Sequence, residues 1–184
     1  ALIGPNGAGK TTLFNQICGE YFPTDGKILL YGHDVTRMKN YNRVKLGLSR
    51  TFQITELFWE MTILENVVMA LMGTKPGKKF QMFPLLKRKK DFFARAEELV
   101  ARVGLTEKKN EMISNLSYGD QRLVELMLAL ATDPKIICLD EPNAGLSVAE
   151  SKIMVKVIKE LPRDITVLLI EHDMDLVFEV VDRM

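Results

Sequence analysis

The sequence predicts an α/β fold with a parallel sheet core and a helical subdomain inserted into it. Three observations carry that reading. Gly4-Pro5-Asn6-Gly7-Ala8-Gly9-Lys10-Thr11 satisfies GxxxxGK[ST] in full, after the apolar Ala1-Leu2-Ile3 and before a helical Leu13-Phe14-Ile17 pattern. Towards the other end, short apolar runs alternate with helical patterns, as strand–helix–strand units do. Between Phe58 and Ser117 no convincing strand can be found, only helical spacing.

Taken in order, Ala1-Leu2-Ile3 reads as the remnant of a strand, because a buried strand usually runs about five or six residues. Lys27 to Tyr31 reads as a short strand ending in a turn at Gly32. Thr62 and Glu65 cap a helix, and Asp91 to Val103 forms another helical pattern. Ser117 and Asp120 have capping spacing ahead of Leu123, Leu126, Met127 and Leu130. Ile136 to Leu139, after Asp133-Pro134, and Ile165 to Ile170, after Pro162, read as strands buried on two faces. Between them Ser147 and Glu150 make a capping box ahead of Ile153, Met154, Val157, Ile158 and Leu161. A last helical pattern, through Leu176, Val177, Val180 and Val181, stops at Met184. The expectation is a fragment truncated at both ends, with 1–57 and 125–184 as nucleotide-binding core and about 58–124 as helical subdomain.

Composition narrows the function classes. The 184 residues are 47% hydrophobic and 27% charged, ordinary for a globular domain of this size. Lys and Arg total 25 against 24 Asp and Glu, which argues against a dedicated nucleic-acid binder. The longest apolar stretches, Val67 to Met72 and Leu126 to Ala131, fall far short of a membrane span, and no signal peptide is visible. Cys18 and Cys138 form no CxxC and read as buried free thiols in a reducing compartment.

The chemistry begins at the loop. Its glycines let backbone N–H groups face a phosphate, and the following helix adds partial positive charge. Lys10 then reaches the β- and γ-phosphates, and the Thr11 hydroxyl suits Mg²⁺. This is the P-loop NTPase pattern. Asp140-Glu141 follows the strand Ile136 to Leu139 at its carboxyl end, which sets both carboxylates beside the loop. Asp140 suits Mg²⁺ coordination and Glu141 suits activation of the attacking water.

Gly4 to Thr12, Gln53, Leu116-Ser117-Tyr118-Gly119-Asp120-Gln121-Arg122, Leu139-Asp140-Glu141-Pro142 and His172 stand in the order of an ATP-binding cassette ATPase. The chain resembles that family along essentially its whole length. The resemblance implies ATP and Mg²⁺ as ligands, with Gly4, Pro5, Asn6, Gly7, Ala8, Gly9, Lys10, Thr11 and Thr12 around the phosphates. It implies that Thr11, Gln53 and Asp140 serve the metal, and that Glu141, His172 and Gln53 serve catalysis. Ser117, Gly119 and Gln121 would reach the γ-phosphate held by a second ATPase subunit, homo- or heterodimeric and head-to-tail. Tyr118 stands where the family usually has glycine, and Asp120 where it has glutamine. Asn143-Ala144-Gly145-Leu146-Ser147 resembles the loop that crosses the dimer interface, Asn143 and Gly145 departing from its commoner form. The family's adenine-stacking aromatic would lie upstream of Ala1.

Arg50-Thr51-Phe52-Gln53, Leu57-Phe58, Met61-Thr62, Glu65-Asn66-Val67 and the 116–122 segment are most similar to ATPase subunits of branched-chain amino acid importers. The alternatives are the ATPase of another such system, serving urea or short-amide import or lipopolysaccharide export, and a non-transport ATPase of the same family. A transporter's ATPase subunit works on transmembrane permease subunits, peripherally at the cytoplasmic face of the membrane. A chromosome-maintenance ATPase is disfavoured, because Ser117 follows Thr11 by only 106 residues and no sustained heptads intervene. A GTPase is disfavoured because no Asn-Lys-x-Asp occurs. From Asn66 to Lys90 there is no acidic residue, while Lys75, Lys78, Lys79, Lys87, Arg88, Lys89 and Lys90 flank the apolar 80–86 stretch. That pattern fits either a solvated face or a membrane-proximal one, with Phe52 to Trp59 beside it docking a transmembrane subunit.

Overall fold

The computed structural model describes residues 1–5, 7–51, 57–73 and 82–183, and over 82–89 the backbone alone. Three parallel strands lie side by side in the order β3 (Leu48–Arg50), β4 (Ile136–Asp140) and β5 (Thr166–Ile170). Leu2 bridges in parallel to Ile170, its N–H donating to Leu169 O at 2.8 Å, and so sets the phosphate-loop segment beyond β5.

The period of two in these strands divides the core. Ile137, Leu139 and Leu169 point to one face, where they meet α5 (Tyr118–Leu130) and α6 (Val148–Lys159). Cys138 and Ile170 point to the other, where Phe14 and Cys18 of α1 (Lys10–Cys18) cover them. A sheet covered on both faces needs near-continuous apolar strands, which is what these runs supply. Both cysteines are buried free thiols, as expected.

The first face continues without a break into the helical segment. Its core takes in Ile63, Val67 and Leu71 of α3 (Ile63–Gly73) and Ala96, Leu99 and Val100 of α4 (Met82–Arg102). Thr62 and Glu65 close the predicted capping box: Glu65 Oε2 accepts from Thr62 N at 2.8 Å, and Thr62 Oγ1 accepts from Glu65 N at 3.2 Å. Among the described residues no strand runs between Phe58 and Ser117; a single antiparallel bridge joins Thr62 to Met112.

Several elements differ from the sequence reading. The strand expected over Lys27 to Tyr31 is the two-residue β1 (Leu29–Leu30), paired antiparallel with β2 (His33–Asp34). Tyr31 (φ 49°) and Gly32 (φ 79°) make the tight turn between them, and Ile28 N turns aside to donate to Thr36 Oγ1 at 2.9 Å. The helix α2 (Asn40–Lys45) and β3 itself have no counterpart in that reading. The helix expected from Asp91 starts at Met82, with Pro84 in its first turn, where a missing N–H donor is tolerated. α6 stops at Lys159, short of Leu161, and α7 spans Met174–Val180 behind an Asp173 cap. The basic stretch at 74–81 lies outside the described residues, as do the side chains over 82–89.

One buried cation ties the phosphate-loop helix to the hairpin. Arg43 of α2 is fully buried, and its guanidinium donates to backbone carbonyls. Gln16 O and Ile17 O accept at 2.6 Å, Val35 O at 2.7 Å and Met38 O at 2.9 Å. The first two belong to the carbonyl end of α1, where partial negative charge favours a cation. Burial nevertheless lowers the Arg43 pKa. Gly19 caps α1 at φ 87°, and a Cβ there would stand 2.8 Å from Arg43 Nε. Arg43→Met is therefore expected to destabilise the chain by about 2–4 kcal/mol in denaturant unfolding, because several buried carbonyls lose their donors together. Arg43→Lys should recover only part of this, since an ammonium lacks the planar fork. A loss below about 1 kcal/mol for Arg43→Met would show that these carbonyls find other donors.

Candidate nucleotide site

The loop before α1 has its left-handed turns at Gly7 (φ 82°) and Gly9 (φ 87°), the latter being the N-cap residue. Only glycine adopts these readily, and turns of this kind let backbone N–H groups face an anion. Lys10 Nζ donates to Gly4 O at 2.7 Å and Pro5 O at 3.0 Å, so the ammonium lies across the loop mouth. Thr11 and Thr12 are exposed in the first turn of α1, which carries no acidic residue to offset its positive end. Ala8 is exposed, and its N–H donates to Pro5 O at 3.2 Å. Asn6 and Gln53 lie outside the described residues.

The carboxyl edge of the sheet supplies the other half. Glu141 N donates to Ile170 O at 2.9 Å, and its Oε1 meets His172 Nε2 at 2.8 Å. Glu141 sits at φ 46°, a conformation that costs a non-glycine residue of order 1–3 kcal/mol and persists only where its surroundings fix it. Arg122 Nη2, donating to Glu141 O at 2.9 Å, is one such restraint. The sequence places the acidic pair beside the loop; the sheet instead puts β5 between the loop's strand and β4. His172, two residues past the end of β5, is thereby set between the two.

Asp140 lies 3.5 Å from Arg50 Nη2, and Arg50 Nη1 donates to Asn15 Oδ1 at 2.6 Å. Arg50 also stacks over Phe14, 4.9 Å from the ring centre, so one guanidinium links β3, α1 and the acidic pair. Burial pushes the Asp140 carboxyl above its ordinary pKa, and Arg50 opposes that shift. Among the described residues no group of three or more His, Cys, Asp or Glu holds a metal by itself. Thr11 and Asp140 are hard oxygen donors, the type of which Mg²⁺ takes one or two from a protein while keeping water and phosphate oxygens.

Glu171 was missed by sequence reasoning. It is 4% exposed; Oε1 accepts from Asn143 N at 3.2 Å and Oε2 from His172 N at 2.8 Å. One carboxylate thus fixes the backbone of the histidine and the start of the 143–147 loop. Only its place next to His172 hints at this, and that is too little to single it out.

At α5, Ser117 Oγ accepts from Asp120 N at 3.1 Å, making the expected N-cap. The reciprocal half of the box is not formed, because Asp120 pairs with Lys108 Nζ at 2.6 Å. Gln121 Nε2 donates to Leu116 O at 3.1 Å and steadies the loop in front of the helix. Two departures from the commoner pattern meet here: a Cβ on Gly145 (φ 78°) would stand 3.1 Å from the Tyr118 ring. The bulk added at Tyr118 is matched by bulk removed at Gly145. Arg122 lies over the other part of that ring, 5.8 Å from its centre.

A glycine loop opening a helix, with a carboxylate pair and a histidine on the same sheet edge, defines a phosphate-loop nucleoside triphosphatase. The chain belongs to the ABC transporter family, whose description matches residues 1–144. It is 42% identical over 190 residues to the high-affinity branched-chain amino acid transport ATP-binding protein LivG of Escherichia coli K12, covering all of this chain and 74% of that one. BraF of Pseudomonas aeruginosa, with the same description, is 38% identical at the same coverage. Among solved structures, the ADP conformation of MJ1267, an ATP-binding cassette of an ABC transporter, superposes with TM-score 0.82 at 33% identity, over 98% of this chain and 72% of that one. The dimeric post-hydrolysis state of the cassette MJ0796, bound to ADP and Pi, gives 0.77 at 25% identity, over 96% and 75%.

Removing the Glu171 carboxylate should lower turnover without loosening nucleotide. Glu171→Ala is expected to cut kcat for ATP hydrolysis about 10- to 100-fold, the scale seen for outer-sphere partners of site residues. The Kd for ATP should stay near wild type, since among the described residues the hydrogen bonds of Glu171 go to Asn143, His172 and Asp173 rather than to the phosphate loop. Unchanged turnover would contradict the role.

Proposed function

We propose that the chain is the ATP-hydrolysing subunit of an importer of branched-chain amino acids, with 1–57 and 125–184 as nucleotide-binding core and about 58–124 as helical subdomain. The similarity to LivG along the whole of this chain and 74% of LivG is the observation that carries the cargo. The loop would cradle the phosphates of ATP through Gly4 to Gly9, with Lys10 turning from its loop carbonyls to the β- and γ-phosphates. Thr11 and Asp140, with Gln53, would hold Mg²⁺, which neutralises charge on the phosphate oxygens when bound. Glu141 takes a proton from the attacking water, and His172, already bonded to Glu141, orients it and meets the γ-phosphate. Ser117 and Gly119 of a second ATPase subunit complete the site head-to-tail, Gln121 steadying the loop that carries them.

Coupling to the permease runs through the segment before α3. Phe58 and Trp59 are exposed, and the Phe58 backbone is hydrogen-bonded through both its N–H and its carbonyl. The buried Asn66 accepts from Phe58 N at 2.9 Å and donates to Phe58 O at 3.0 Å. Two exposed aromatic side chains on this held backbone suit the docking of a transmembrane subunit. No described helix is long and apolar enough to cross a membrane, and the subunit is read as bound at the cytoplasmic face through its permease.

The test is the assembled transporter in proteoliposomes. Leucine, isoleucine or valine with their binding protein should stimulate ATP hydrolysis and enter the vesicles. Glu141→Gln should bind ATP normally and lose about 10²–10⁴-fold in hydrolysis, as loss of a general base does. Stimulation by urea instead would overturn the cargo, and near-normal turnover of Glu141→Gln would overturn the role of Glu141.

A further inference from the structure

The N-terminal end of α5 is met by a side chain from another element. Glu150, in the first turn of α6, splits its two oxygens between two helices. Oε2 accepts from Ser147 N at 2.9 Å and from Ser147 Oγ at 2.7 Å, closing the capping box of α6. Oε1 accepts from Ser117 Oγ at 3.4 Å, and the carboxylate also accepts from the Gly119 backbone N–H. A Cβ on Gly119 would overlap the Glu150 carboxylate, so the lack of a side chain at 119 is what admits it. These bonds hold the Glu150 carboxyl below its ordinary pKa, the Ser147 hydroxyl contributing most.

We propose that Glu150 is a positioning residue for ATP hydrolysis: within one subunit its carboxylate occupies the Ser117–Gly119 seat that the second subunit's γ-phosphate takes on closure, and so raises the ATP concentration closure needs. This rests on the reading of Ser117 and Gly119 given above. The same groups that welcome a phosphate oxygen, a hydroxyl and an unblocked helix N–H, are here engaged by a carboxylate oxygen. Two anions do not share one seat, because like charges a few ångströms apart repel strongly in a partly desolvated interface. The bound nucleotide, with several charges and a cation, displaces the single carboxylate. Displacement leaves α6 capped, since the Oε2 bonds to Ser147 do not involve α5.

The substitution that isolates this role is Glu150→Gln, because glutamine also closes a capping box while carrying no charge. In the assembled transporter, the KM for ATP should fall about two- to fivefold, the scale of one charge at a helix N-terminus, with kcat unchanged. In a Glu141→Gln background, the ATP midpoint for association with the second subunit, read by sedimentation, should fall by the same factor. The thermal midpoint of the free subunit should not move, and Ser147→Ala, which weakens the cap but keeps the charge, should lower that midpoint without lowering KM. An unchanged or raised KM in Glu150→Gln overturns the proposal. Ser117→Arg separates this from the underlying reading. If Ser117→Arg abolishes ATP-driven association while Glu150→Gln changes nothing, only the role of Glu150 fails. If Ser117→Arg leaves association and turnover intact, the composite site itself fails.

Discussion

The parallel register of β4 on β5 is the constraint from which the rest of the site follows. Five residue pairs, from Ile136 with Thr166 to Asp140 with Ile170, bring the two strands to their carboxyl ends at the same level. The residues just past that level are Glu141 and Glu171, followed by His172, and the 2.8 Å contact between Glu141 and His172 is the product. A slip of one residue would turn every apolar side chain of β5 to the wrong face, so the register is held by both cores at once. The bridge from Leu2 to Ile170 then docks the phosphate loop against the same strand. The geometry of the candidate site is here a by-product of burying Ile137, Leu139 and Leu169 on one side and Cys138 and Ile170 on the other.

What was legible in the sequence shares one property: the physical cause is local. The phosphate loop, the capping boxes at Thr62 and Ser147, and the apolar runs of β4 and β5 each state their structure within a few residues. β3 was not legible because Leu48-Ser49-Arg50 is too short and too polar to show a strand period. It is a strand because β4 offers it an edge and Ser49 Oγ finds Ala129 O at 3.1 Å. Arg43 reads as a surface residue of a polar hexapeptide, and only the fold brings the carbonyls of α1 around it. Glu171 is similar, because its partners at Asn143 and His172 meet through the sheet rather than along the chain. The order of strands was also hidden, since nothing within one strand says which neighbour it chooses.

The departures from the commoner family pattern are coupled in space. Tyr118 and Gly145 sit 27 residues apart in the sequence and face each other in the structure. An aromatic ring at the start of α5 needs the loop opposite to be small, and a glycine in the left-handed region meets both the steric and the backbone demand. The ring in turn gives Arg122 a surface to lie on, and Arg122 holds the Glu141 carbonyl. The helical segment is thereby connected to the acidic pair through one side chain as well as through the shared core.

In the proposed assembly, Ser117–Gly119 of one subunit and the loop Gly4 to Thr11 of another close on one nucleotide. Vanadate photocleavage of the assembled transporter tests it most directly, because a trapped vanadate cuts only the backbone within its reach. With ATP, Mg²⁺ and vanadate under ultraviolet light, this chain should be cut both within 4–11 and at 117–119, and ADP without vanadate should give neither cut. Cleavage confined to the loop, with 117–119 intact under turnover conditions, would contradict the account.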